Sequence, residues 1–134
     1  MARKVNWQKK ADDMWKLVVK QVGCCEMCGS STKQLHAHHI ISRKHFSYRH
    51  LLENGVCLCA NCHMFGNHSA HKNRKYFLEW IQKEREGQWS WLMSHTVPKE
   101  TKIGKDIYVD YHPIKIDHDG DEVEYHELKA IYES

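Results

Sequence analysis

Apolar side chains recur at helical spacing near the start of the chain, at Trp7, Ala11, Met14 or Trp15, Val18 and Val22. With Asn6 to cap the first turn and Gly23 to stop the run, the pattern predicts a helix over residues 6–22. Its opposite face carries Lys9, Lys10, Lys16 and Lys20, as a solvated helix face does. From Leu35 to Ser42 the pattern changes to a short His- and Ile-rich run behind the polar turn SSTKQ, and GVCLCANCH at 55–63 looks similar. Both read as strands that would pair in a small antiparallel unit. Tyr76, Phe77, Trp80 and Ile81 then return to helical spacing, predicting a helix over 73–85 that continues irregularly through Trp89 and Trp91. That spacing belongs to a buried face rather than to a platform for stacking bases.

Beyond Pro98 two alternating, β-branched and aromatic segments, IYVDYHPIKI and VEYHELKAI, flank the polar DHDGDE and predict a hairpin. Asp117, Asp119 and Asp121 suggest a calcium loop, but the glycine falls at the fourth position instead of the sixth, so the segment reads as a solvated turn. The fold class expected is α+β: an N-terminal helix, a strand–strand–helix core over 24–85 and a C-terminal β-hairpin appendage. A chain of 134 residues has apolar surface for one modest core, so residues 99–134 are expected as an acidic hairpin or tail on a body of residues 1–98, not an independent domain.

Charge divides the chain at the same place. Residues 1–99 hold 16 Lys and Arg against 7 Asp and Glu, and residues 100–134 hold 4 against 10. A basic body is the usual footprint of a protein that meets a polyanion, which makes nucleic acid the leading partner. The acidic segment is expected as a solvating hairpin; the other roles weighed for it are a brake folded over the nucleic-acid surface and a contact for a basic partner protein or a second copy of the chain. No run approaches the roughly 18 apolar residues of a membrane span, and the opening residues lack a signal-peptide core, so a cytoplasmic protein without membrane contact is expected.

Six cysteines change the picture more than the charge does. Four of them form Cys25-x-x-Cys28 and Cys59-x-x-Cys62, two knuckles that suit one structural zinc, because each turns two thiolates toward one point. Cys24 and Cys57 permit other quartets, and CxxC spacing argues for the one given. Between and after the knuckles stand His36, His38, His39, Asn54 and His63, which a zinc knuckle does not need. Hydrolysis of a phosphodiester requires a base for water and a cation for the developing charge. A neutral imidazole can serve as either base or ligand, and a side-chain amide can fix its tautomer.

In this order, Cys-x-x-Cys, His-His-Ile, Asn and Cys-x-x-Cys-His resemble the HNH endonucleases, the zinc-containing branch of the ββα-metal (His-Me finger) nucleases. HAHHI followed by a knuckle and FGNHSAH is also similar to the phage recombination nucleases of the NinG or Rap type. The resemblance implies His39 as general base, Asn54 as the residue orienting it, and His38 and His63 as ligands of one catalytic divalent cation. It implies Cys25, Cys28, Cys59 and Cys62 as the structural zinc site. DNA cleavage would leave 5′-phosphate and 3′-hydroxyl ends, with Mg²⁺, Mn²⁺ or a later divalent metal such as Ni²⁺ or Zn²⁺ as catalytic cation. Strand alternation puts His36 on the face of His38, so His36 is either a further ligand or a residue behind the site. His68 or His71 could complete the metal site, with His68 the preferred choice. Arg43, Lys44, Arg49, Lys72, Arg74 and Lys75 flank the stretch and are the expected DNA contacts. The competing reading is a zinc-ribbon module that binds nucleic acid or protein without cutting.

Overall fold

The computed structural model describes residues 4–134; the first three residues of the expected body lie outside the described residues. Helix α1 runs Trp7–Val19 and is followed by a single 3-10 turn, Lys20–Val22. Its start is capped as the sequence predicts: the Asn6 side chain accepts the Lys9 N–H at 3.1 Å. Gly23 ends it at φ 77°, a left-handed conformation that a Cβ would strain. Ala11 and Trp15 are its buried residues.

Strands β1 (Leu35–His39) and β2 (Gly55–Cys59) pair antiparallel, with Leu35 opposite Cys59 and His39 opposite Gly55. Every residue of β2 is buried. Gly55 is required by packing: a Cβ there would lie 2.6 Å from Val19 Cγ2 and 2.9 Å from Trp15 Cζ2, so α1 crosses the start of β2 at backbone contact. Helix α2 (Arg74–Glu84) lays Phe77, Leu78 and Ile81 on the sheet, and the core closes around them with Ile40, Ile41, Tyr48, Val56, Leu58 and Leu92. The expected irregular continuation after α2 is a second helix, α3 (Glu86–His95).

The C-terminal third corrects the expected hairpin. A hairpin is present, but β4 (Asp106–Pro113) pairs with the preceding β3 (Thr96–Ile103), turning at Gly104 and Lys105. Pro98 lies inside β3 instead of at a break between elements. VEYHELKAI, expected as the second strand, belongs to helix α4 (Asp121–Glu133). Its physical reason is local: Asp121, Glu122 and Glu124 occupy the first turn, where the helix dipole favours negative charge. Leu128 is buried, and Trp7 of α1 meets Tyr125 with ring centroids 5.7 Å apart, so α4 lies along α1 instead of trailing into solvent. The hairpin is tied to the core by Tyr48, whose hydroxyl donates to Ile114 O at 2.6 Å. Among the described residues no helix is long and apolar enough to cross a membrane.

Candidate functional site

The two knuckles converge. Cys25, Cys28, Cys59 and Cys62 bring their sulfurs together, with Cys28 Sγ and Cys59 Sγ 3.7 Å apart. Four thiolates around one zinc at a Zn–S length of about 2.3 Å would stand about 3.8 Å from one another, so the spacing fits the ion. In each knuckle a backbone N–H points at the first sulfur, Cys28 N to Cys25 Sγ at 3.4 Å and Cys62 N to Cys59 Sγ at 3.5 Å. Burial raises the Cys25 thiol, but backbone hydrogen bonds from Cys28, Cys59 and Met27 outweigh it and bring the group down to about 7. Burial, then the neighbouring thiols, push Cys62 strongly the other way, because four thiolates this close cannot all ionise without a cation among them. Cys24 and Cys57 stand outside this quartet. Cys57 is fully buried and pushed up to about 11, by burial first and Glu26 second, as an inert apolar-like thiol is.

A second cluster lies beside the first. His38, His63 and His71 bring one nitrogen each within 4.8 Å of one another. His63 Nε2 and His71 Nε2 are 2.9 Å apart, while His63 Nδ1 faces His36 Nδ1 at 2.8 Å. His36 therefore stands behind His63 and fixes which of its nitrogens faces the cluster. His38 is pressed edge-on against Phe77, and its Nε2 is buried without a hydrogen-bond partner. A buried, unpaired imidazole nitrogen costs free energy, and a metal ion is one way to satisfy it. Ligands at about 2.1 Å meeting at right angles on one ion stand about 3.0 Å apart, so the His63–His71 spacing fits a divalent cation. Burial, followed by the other histidines, holds His38 well below the usual imidazole range and His63 at about 4. His38 and His63 are thus neutral and able to ligate near neutral pH.

The third member is His71, not the preferred His68. His68 is exposed and packs on Tyr76 with ring centroids 4.5 Å apart. After the turn at Gly66 the chain folds back on itself: Ala70 N bonds to Cys62 O at 2.8 Å and His71 N to His63 O at 3.1 Å. This backbone pairing sets His71 beside His63, a placement that residue spacing along the chain does not reveal.

His39 points to the opposite face of β1. Its ring stacks on Trp15, centroids 4.0 Å apart and 11° from parallel, and its Nε2 faces the Arg49 carbonyl at 2.9 Å. That carbonyl can only accept, so Nε2 carries the proton and Nδ1 is left as the free basic nitrogen. Burial pushes the group down to about 4. Asn54, expected to orient this ring, makes its hydrogen bonds to the backbone instead. Its fully buried amide accepts the Ile41 N–H at 2.6 Å and donates to Ile41 O at 2.9 Å and Tyr48 O at 3.1 Å. It pins the loop between β1 and β2, the loop that carries the Arg49 carbonyl.

The basic residues divide in the same way. Arg43 and Lys44 are exposed on that loop, and Lys72 and Lys75 are exposed near α2. Arg49 spends its guanidinium on Asp12 in two bonds of 2.7 Å. Arg74 donates to Asp110 of β4 at 2.9 Å and to Ile40 O at 3.0 Å. His38, His39, His63 and His71 all line one cleft with Lys16, Arg43 and Arg74. The hairpin supplies a further wall, Tyr108, Asp110 and His112, which nothing in the sequence linked to the histidines.

The histidines thus line one cleft, and the segment that carries His38, His39 and His63 also holds the cysteine quartet and the buried Asn54. Residues 25–65 match the HNH endonuclease family. The HNH match begins at the first knuckle cysteine and ends with the turn after β2, so it spans the zinc quartet, His38, His39, Asn54 and His63. His71, α1 and everything after Phe65 lie beyond the HNH segment. No curated protein and no solved structure matches the chain.

Proposed function

We propose that the protein is a divalent-cation-dependent HNH DNA endonuclease that hydrolyses phosphodiester bonds to 5′-phosphate and 3′-hydroxyl ends. The observation that supports the reading is the pairing, in one cleft, of a three-imidazole cluster containing an orphaned nitrogen with a separately held, neutral His39, three of these four histidines lying in the HNH-matched segment. His38, His63 and His71 would hold one cation such as Mg²⁺ or Mn²⁺, which supplies positive charge to the scissile phosphate and its leaving oxygen. His39 takes the proton of the attacking water on Nδ1 while the Arg49 carbonyl keeps Nε2–H in place. His36 holds the His63 ring from behind. Arg43 and Lys44 on the β1–β2 loop, with Lys72 and Lys75 near α2, meet backbone phosphates, whereas Arg49 is committed to Asp12. Arg74 reaches a phosphate only by leaving Asp110.

The cysteine quartet would hold zinc and keep the fold, with no part in the chemistry. Supercoiled plasmid with Mg²⁺ or Mn²⁺, the wild type and His39→Ala test the reading. Nicking by the wild type that disappears in the variant is expected. Cleavage that survives His39→Ala would sink the assigned base. DNA binding with no cutting under any cation would return the chain to the zinc-module reading.

A further inference from the structure

The Arg49 carbonyl that holds His39 sits in a three-residue segment gripped from both ends of the chain. Arg49 itself is bound through its guanidinium to Asp12 of α1. His50, whose side chain is 2% exposed, faces Asp12 Oδ1 with Nε2 at 2.7 Å and Glu124 Oε1 of α4 with Nδ1 at 2.9 Å. Leu51 O accepts the indole N–H of Trp15 at 2.9 Å, and that same indole is stacked on His39. Glu124 is also approached by His118 Nδ1 at 3.2 Å on its other oxygen, and Asp121 Oδ1 lies 3.6 Å from His50 Nδ1.

His50 thus spans the two helices, with one ring nitrogen on a carboxylate of each. A buried polar contact of this kind leaves the remaining group unsatisfied when its partner is removed. The segment 49–51 is therefore restrained from two sides, by Asp12 and Trp15 of α1 and by Glu124 of α4, and loosens when either side is lost. The cleft is lined by no residue of α4, so the acidic helix does not reach the histidines directly.

We propose that α4 is a positioning element for the active-site base: Glu124, through His50 and Asp12, sets the Arg49 carbonyl that fixes the tautomer and orientation of His39. This rests on the reading of His39 as the base. It assigns the acidic C-terminal segment a role within the site, in place of a brake on DNA or a solvating hairpin.

The test compares wild type, Glu124→Ala and Glu124→Gln as full-length, zinc-loaded protein. The readouts are kcat and KM for plasmid nicking with Mn²⁺, ¹⁵N chemical shifts of the His39 ring and the melting temperature. Removing the partner behind a functional histidine typically costs 10–100-fold. In Glu124→Ala, kcat should fall about tenfold at unchanged KM, and the His39 nitrogens should move from a single Nε2–H tautomer toward a mixture. Glu124→Gln keeps an oxygen that accepts from His50 and should restore both. Should Glu124→Ala fail to fold, Glu124→Asp retracts the carboxylate by one methylene and gives the same comparison. A folded Glu124→Ala or Glu124→Asp with wild-type kcat and unmoved His39 shifts overturns the proposal. A wild type that never cuts overturns the nuclease reading instead, and the His39 shifts then decide the brace on their own.

Discussion

Burial of His39, the proposed base, should set the pH range of nicking. Its ring is pushed down to about 4 by removal from water, against an ordinary imidazole near 6.5. A general base works when deprotonated, so the rate should rise with pH through the folded pKa and be flat above it. With the value at about 4, roughly 97% of His39 is neutral at a pH of about 5.5, against about 9% for an unperturbed histidine. Were the group one unit higher, about three-quarters would still be neutral. Of the proposed cation ligands, His63 is likewise held at about 4 and His38 well below the usual imidazole range. Initial nicking rates at saturating Mn²⁺ should therefore differ by less than about twofold between pH of about 5.5 and about 7.5. Circular dichroism at the lower pH checks that the fold is intact. A rate at the lower pH near one-tenth of that at the higher, with the protein folded, would refute the argument. Stability carries the same sign: between the unfolded value and about 4 the unfolded chain binds protons that the folded His39 and His63 refuse, so stability falls as pH falls through that window.

His71→Ala should weaken Mn²⁺ binding, read by calorimetry, by more than the roughly 10–100-fold that losing an outer partner costs, whereas His68→Ala should leave it within about twofold. Equal effects would show that the backbone pairing of residues 70–71 with 62–63 does not decide the ligand. Cys59→Ser should release zinc and unfold the core, since structural zinc contributes on the order of 10 kcal/mol to a small fold; a cooperative melt retained without zinc would contradict it. Asn54→Ala strands the buried Ile41 N–H and Ile41 O, while Tyr48 O keeps the Leu51 N–H, and at about 1–3 kcal/mol for each unsatisfied group should lower stability in urea by about 2–6 kcal/mol. A loss below about 1 kcal/mol would mean that the loop is held by other contacts.

The parts of this fold that could be read along the chain are those whose signals are local. Asn6 and Gly23 bracket α1, the CxxC turns mark the cysteine quartet, and Phe77 and Ile81 mark the buried face of α2, where Leu78 joins them. Contacts made by the backbone were not legible. Asn54 carries the right chemistry for orienting His39, but spends it on the loop backbone, and the orienting group is a main-chain carbonyl that no residue type announces. VEYHEL alternates like a strand, yet its acidic first turn and the Glu124–Leu128 spacing are helical; the docking of α4 on α1 decides between the two. The preference for His68 failed for a related reason, since the return of the chain after Gly66 is set by hydrogen bonds across the turn.

The adjacency of His38 and His39 then acquires a geometric meaning. On a strand, neighbouring side chains point to opposite faces, so one residue step separates the imidazole that joins the cluster from the one that stacks on Trp15. Displacement at phosphorus needs the attacking water and the leaving oxygen on opposite sides of the phosphate, roughly in line. A strand that ends at His39, inside the cleft both residues line, presents a base on one side and a ligand on the other without a hinge between them. Each face has its own support: Phe77 behind His38, and Trp15 with the Arg49 carbonyl behind His39. The cation side is therefore held by the knuckle and α2, and the base side by the two terminal helices. Damage to α1 or α4 should consequently lower kcat while sparing cation affinity, and damage at His71 should do the reverse.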